Sequence, residues 1–313
     1  MSPLLGRAAT APAPLIERIE ALGRAADALD GIAPSTDIIT ARELLERVDR
    51  RRALSAEHTV IGLFGATGSG KSSLVNALVG KEISNAAVRR PTTAVPVAAV
   101  VGAAGSDALL DWLEIEQRHV LDGTDAELAT AAQRPPAGRR ARRTHPADAP
   151  GIVLLDLPDL DSVESAHRAV AERMSGLVDV IVWVTDPQKY ADAVLHQEFV
   201  QPFAGHDAVT VLVLNQIDRI REDEREPVLD SLAGIARADG LERAPVLATS
   251  ATTGEGVQEL REHLVTIARS REAVVERHRA DVRAAAEALQ EAADPAGLPD
   301  RVTPVQIDAL VDD

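Results

Sequence analysis

Apolar residues recur along this chain with two different periods. Around 14–30 and 36–54 they return every three or four positions, which predicts two amphipathic helices parted by Gly31 and Pro34. From 59 to 270 the pattern changes: short runs of Val, Ile, Leu and Ala at 59–64, 94–101, 151–156, 179–185, 209–214 and 245–249 alternate with helical stretches. Runs that are apolar at nearly every position predict strands covered on both faces. Their alternation with helices predicts a parallel-rich α/β sheet. Between the second and third strands the pattern dissolves into a polar insertion, about 105–149, with a helical piece near 107–121 and a Pro/Arg-rich loop. A long helical period resumes at Gly256 and runs to about 294. Residues 1–13 predict a loose tail and 295–313 an irregular end, whose last ten residues start a helical pattern that stops abruptly. The organisation expected is a helical extension (1–57), an α/β domain (58–270) and a C-terminal helix with its irregular end (271–313), in a chain read as a piece of something longer.

Composition narrows the class. With 45% apolar and 26% charged residues among 313, the chain is globular, and with 2% aromatics its core must be aliphatic. A net charge of −16 argues against general binding to DNA, RNA or an anionic membrane. The absence of cysteine excludes disulfides and thiolate metal sites. Arg7 and a Pro/Ala-rich stretch interrupt any signal-peptide core, and no apolar run approaches a membrane span. A cytoplasmic location is the expectation, with any membrane association supplied by segments outside this chain.

The candidate chemistry starts at Gly65-Ala66-Thr67-Gly68-Ser69-Gly70-Lys71-Ser72, followed by Ser73. This is the phosphate-binding pattern G-x-x-x-x-G-K-[ST], set between an apolar run at 59–64 and a helical stretch closed by Gly80. The glycines let successive backbone N–H groups turn toward a phosphate, and the helix N-terminus adds its positive end. Lys71 would bridge the β- and γ-phosphates and Ser72 would ligate Mg²⁺. Ile152-Val153-Leu154-Leu155-Asp156 is an apolar strand ending in a carboxylate, as expected of a group that holds Mg²⁺ through water. Further on, Val211–Leu214 leads into Asn215-Gln216-Ile217-Asp218, and Val246–Thr249 into Ser250-Ala251-Thr252. Guanine presents N1–H and an N2 amine, and one carboxylate accepts from both, which is the role of Asp218. Adenine lacks that pair of donors, so such a site can discriminate by roughly 10⁴-fold. An ATPase reading would want Glu directly after Asp156, where the chain has Leu157.

In this order the motifs resemble those of the Era-like P-loop GTPases, over roughly 58–270. Arg89-Arg90-Pro91-Thr92-Thr93, Asp156–Ser162 and Asp186–Asp192 are similar to a subgroup of actinobacterial GTPases, often long and carrying membrane segments beyond the GTPase domain. The resemblance implies a three-layer α/β domain with a six-stranded sheet whose second strand is antiparallel. It implies GTP/GDP and Mg²⁺ as ligands, one hydroxyl of Thr92-Thr93 joining Mg²⁺ as a switch residue with Thr93 favoured over Thr92, Asn215 tying the base loop to the P-loop, and the Ala251 N–H on the guanine carbonyl.

Four positions depart from that pattern. Gln216 stands where the family has Lys, which weakens contact along the base. Asp159 stands where the family has a glycine whose N–H meets the γ-phosphate. It keeps the N–H but brings a charge and a stiffer backbone. Leu160 stands where Ras-type enzymes place a water-orienting Gln, and Gly68 where potassium-responsive members carry Asn. Lys71, Thr93 and Asp159 are thus the candidate catalytic residues, with slow turnover expected. The Arg139–Arg143 cluster, His167, Lys189 and Tyr190 read more economically as surface or helix-entry residues. The function expected is a GTP-hydrolysing regulatory switch with a protein effector or a membrane or envelope partner. The alternatives are a ribosome-assembly GTPase, for which no RNA-binding module is visible, and a nucleotide-loaded interaction protein with little hydrolysis.

Overall fold

The computed structural model describes residues 13–54, 58–84, 95–123, 125–134, 149–161, 165–270 and 273–293. The chain divides into two compact units, one formed by residues 1–54 and 278–313 and the other by 55–277.

In the first unit, helices α1 (Ala13–Ala28) and α2 (Ser35–Ala53) form where the three-to-four-residue period predicts them. Leu15, Leu22 and Ala26 of α1 and Ile38, Ala41, Leu44 and Val48 of α2 are buried.

The second unit is built on one seven-stranded sheet: β1 (His58–Phe64), β2 (Val97–Val101), β3 (Gln117–Leu121), β4 (Gly151–Asp156), β5 (Val180–Thr185), β6 (Thr210–Leu214) and β7 (Val246–Ala248). The spatial order is β3-β2-β4-β1-β5-β6-β7. β1 pairs in parallel with β4 and β5, and β2 runs antiparallel to β4, as the resemblance implies. Every residue of β1, β4, β5 and β6 is buried, which is why those runs read as unbroken apolar stretches.

The expected six strands are corrected to seven, and the expected helix over 107–121 to a short helix, α4 (Asp107–Trp112), followed by β3. Among the described residues β3 pairs only with β2, in parallel, and four of its five residues are exposed or half-buried. An edge strand of this kind carries Gln117, Arg118 and His119, and its pattern offers no apolar alternation to read. The insertion also holds α5 (Glu127–Gln133). The one long helix expected over 256–294 is instead α8 (Val257–Ser270) and α9 (Ala273–Ala292). Between β1 and β2 lies α3 (Lys71–Val79), between β4 and β5 α6 (Ser165–Ser175), and between β6 and β7 α7 (Glu222–Ala238).

Helices α3, α5 and α8 pack on one another over Ile61, Leu63, Leu154, Val182 and Val213. Arg261 locks this layer. Its guanidinium donates to the Leu78 and Ala77 carbonyls at 2.8 Å each, satisfying the C-terminal end of α3, and pairs with Glu127 of α5 at 2.5 Å. Burial pulls its pKa below the ordinary arginine value, more strongly than Glu127 raises it. Arg261→Ala would orphan two carbonyls in a buried setting. The expected loss is about 3 kcal/mol, read as a lower urea midpoint at unchanged slope. Arg261→Lys should rescue little, because an ammonium cannot span both carbonyls as the planar fork does.

Candidate functional site

The loops leaving the C-terminal ends of β1, β4, β5, β6 and β7 meet at one edge of the sheet, where open α/β folds place their ligands. The loop after β1 is the glycine-rich segment 65–70. Gly70 has φ +87°, and a Cβ there would lie 2.5 Å from the Asn215 amide nitrogen, so only glycine fits both the backbone and the neighbour. At Gly65, where φ is +157°, a Cβ would lie 2.1 Å from the Val184 carbonyl. Helix α3 begins at Lys71, so its free N-terminal amides face the loop.

Lys71 is 4% exposed. Its ammonium donates to the Gly65 carbonyl at 2.8 Å, to the Ala66 carbonyl at 3.3 Å, and to Asp159 in a closely held ion pair. Asp159 is itself buried, and its other carboxylate oxygen has no hydrogen-bond partner among the described residues. The Ser69 hydroxyl, also buried, has none among the described residues either. The next residue, Leu160, is 1% exposed and donates its N–H to the Gly65 carbonyl. Its side chain belongs to the core, so that position presents nothing to solvent.

Asp161, two residues after Asp159, accepts the Thr67 N–H at 2.5 Å and the Thr67 hydroxyl at 2.8 Å. Lys189, from the loop after β5, donates to the Thr67 carbonyl at 2.9 Å and to Asp161 at 3.1 Å. Burial pushes the Asp161 carboxyl up. The bonds from Thr67 and Lys189 together outweigh it and hold the group below its usual range. A carboxylate with a depressed folded-state pKa contributes stability above its unfolded value. That contribution fades as pH falls through the depressed one.

The base-reading candidates are bound to the same loop. Asn215 donates to the Ser69 carbonyl at 2.9 Å and accepts from the Thr249 hydroxyl and the Ala251 N–H, both at 3.2 Å. Ala251's N–H is thus engaged by Asn215. Gln216 sits in the left-handed region at φ 63°, which carries its amide back to the Gly68 carbonyl at 2.6 Å, while Arg219 donates to its oxygen. Asp218 is exposed and accepts the Ser250 hydroxyl at 2.6 Å, and Thr253 in turn donates its N–H to that hydroxyl. Ser73 and Thr252 are exposed.

At the end of β4, Asp156 is fully buried and closely bonded by the Ser84 hydroxyl. Asn76 of α3 orients Ser84: its amide oxygen accepts the Ile83 and Ser84 N–H groups at 2.9 Å, and its nitrogen donates to the Ser84 carbonyl at 2.8 Å. One carboxylate and the Ser72 hydroxyl are an all-oxygen donor set suited to Mg²⁺, which takes few protein ligands and completes its shell with phosphate and water. Among the described residues no group of three or more His, Cys, Asp or Glu could hold a metal by itself. Thr93 and Arg139–Arg143 lie outside the described residues, as does the side chain of His167.

Sequence reading therefore names the loop residues that meet here. It misses Asp161, Ser84 and Asn76, and it undervalues Lys189. Asp161 left one legible trace, a second acid two positions after Asp159. Ser84 and Asn76 left none.

The model of the dynamin family matches residues 61–217, from within β1 to the base loop. The chain belongs to the dynamin family. It carries a P-loop GTPase domain, and the Era-like resemblance is compatible with that membership. No curated protein matches the sequence. Similar solved structures include Aquifex aeolicus Era bound to GDP·AlF4⁻, at 18% identity over 67% of this chain and 56% of that one, with a TM-score of 0.45. A bacterial dynamin pair described as sensing and tethering membranes matches at 14% identity over 90% and 46%, TM-score 0.43. Arabidopsis thaliana Toc33 with GDP and Mg²⁺ matches at 16% over 75% and 93%, TM-score 0.42. The chain spans 56% of the length of the Era structure. Among the described residues of this dynamin-family chain, no helix is long and apolar enough to cross a membrane.

Proposed function

We propose that this chain binds guanine nucleotides with Mg²⁺ and hydrolyses GTP to GDP and phosphate slowly, as a regulatory switch. The observation that carries the reading is the Asn215 bridge. One side chain ties the Ser69 carbonyl of the P-loop to the Thr249–Ala251 loop, fixing the distance between a phosphate cradle and the Asp218 carboxylate. A purine nucleotide with its phosphates on 65–72 has its base delivered to Asp218.

Phosphoryl transfer needs positioning and charge neutralisation more than covalent groups. The amides of 68–72 and the Lys71 ammonium would hold the β- and γ-phosphates. Ser72, Thr93 and Asp156 would hold Mg²⁺, which supplies further charge neutralisation at the phosphates when bound. Ser84 and Asn76 keep Asp156 aimed. With Leu160 in the core, no side chain at that position orients the attacking water, which supports slow intrinsic turnover. The membrane or envelope link proposed for the switch rests on the resemblance stated above.

A second reading, a nucleotide-loaded interaction protein with little hydrolysis, is favoured by Asp159 holding Lys71. Calorimetric titration with GDP, a GTP analogue, ADP and ATP tests the guanine assignment, and single-turnover phosphate release separates the two readings. Equal binding of ADP and GDP would sink the first. Because Gly68 offers no side chain to a monovalent cation, hydrolysis rates in K⁺ and Na⁺ are expected to agree within about twofold, well short of the gain a charge-stabilising group brings. A markedly faster rate in K⁺ would contradict this.

A further inference from the structure

We propose that Asp159 and Asp161 set this site's preference for a nucleoside diphosphate over a triphosphate, by holding with their own carboxylates the donors a terminal phosphate needs. The inference rests on the guanine-nucleotide reading above and goes one step further, to which nucleotide state the resting site favours.

A P-loop divides its work. Backbone amides cradle the α- and β-phosphates, and the lysine reaches the β- and γ-phosphates. An ammonium has three protons. Those of Lys71 go to the Gly65 carbonyl, the Ala66 carbonyl and Asp159, so a phosphate can gain this ammonium only by displacing a partner. Asp159 is the charged competitor. Both it and the lysine are buried, at 9% and 4% side-chain exposure, where a γ-phosphate and a carboxylate cannot share one cation without strong repulsion.

Asp159 is also poorly satisfied apart from Lys71, since its second oxygen is buried without a hydrogen bond among the described residues. Its place in the site thus depends on the one bond that a triphosphate would take. Asp161 repeats the device on the outer side of the loop. It accepts both the N–H and the hydroxyl of Thr67 and holds Lys189, the other ammonium at this edge. The bonds that keep Asp161 ionised are the same ones a phosphate oxygen would compete for. A diphosphate can keep the cradle amides of 68–72 and leave Asp161 in place, meeting Asp159 through its β-phosphate alone, whereas a triphosphate brings a further charged group against both acids.

The experiment titrates the full chain, in Mg²⁺, with fluorescent mant-GDP and the non-hydrolysable mant-GppNHp. Loss of one charge-assisted bond is worth about tenfold to a hundredfold, so the diphosphate is expected to bind at least about tenfold more tightly than the triphosphate analogue. Asp159→Gly, which restores the residue type of the Era-like pattern, should shrink that ratio by about tenfold or more. Asp159→Asn keeps the volume and removes the charge, so it should move the ratio the same way even if the glycine variant folds poorly. Asp161→Asn should shift it in the same direction by about threefold, its partners being more exposed. Equal affinities in the unaltered protein, or an unmoved ratio in both Asp159 variants, would overturn the inference alone. Failure of mant-GDP to bind at all would overturn the guanine reading and this inference with it.

Discussion

Lys71→Ala is expected to lower affinity for a GTP analogue by at least about a hundredfold, two charge-assisted bonds to phosphate oxygens being worth about 3 kcal/mol or more together. Hydrolysis should fall further still, since a cation at the transferring phosphoryl group does most of its work in the transition state. The substitution has a second consequence. Lys71 is also the cation that neutralises buried Asp159, so removing it leaves a carboxylate sealed in the protein without its partner. Breaking a buried pair from one side costs about 3–5 kcal/mol, and Lys71→Ala should therefore melt early as well as bind weakly. The double variant Lys71→Ala/Asp159→Gly separates the two effects. Stability should return and nucleotide affinity should not. If stability and binding recovered together, Lys71 would be a structural partner of Asp159 and not the phosphate ligand.

Legibility in the sequence followed burial. The buried strands β1, β4, β5 and β6 announce themselves because parallel strands covered on both faces must be apolar throughout. The glycine loop is legible because its conformation admits few residues: at Gly70 any side chain would meet Asn215. Strand β3 was not legible, since an edge strand with Arg118 and His119 is set by its partner β2 and not by its own pattern.

The site divides in the same way. Lys71, Asn215 and Asp218 belong to fixed spacings along the chain. The Asp161–Thr67–Lys189 cluster joins three separate loops, with 28 to 122 residues between partners, and no local period encodes such a meeting. Asp159 was visible as a departure from the GTPase pattern, yet only the fold shows its carboxylate on Lys71 and not in solvent. Leu160 read as a missing water-orienting group, and its burial explains it as a core residue.

Asp218→Asn is expected to convert a guanine site into one that prefers xanthine. Guanine's N1–H and N2 amine are both donors, and a carboxylate accepts from both. Asparagine offers one acceptor and one donor, so its amide nitrogen would confront the guanine amine, donor against donor. Xanthine carries a carbonyl at C2, which that nitrogen can satisfy. Two charge-assisted bonds lost or frustrated correspond to about 10²- to 10⁴-fold in GDP affinity, with xanthosine diphosphate affinity rising in step. Ser250 sharpens the test. Its hydroxyl donates to Asp218 at 2.6 Å and is itself held by the Thr253 N–H, so the carboxylate is fixed in orientation before any base arrives. Ser250→Ala removes that support and keeps the charge. It should weaken GDP binding by about tenfold, one hydrogen bond to a charged group, without changing which base is preferred. Competitive titration with GDP and xanthosine diphosphate reads both variants. If Asp218→Asn left both affinities where they stand in the unaltered protein, the carboxylate would not be reading the base, and the Asn215 bridge would be holding together a loop with some other ligand.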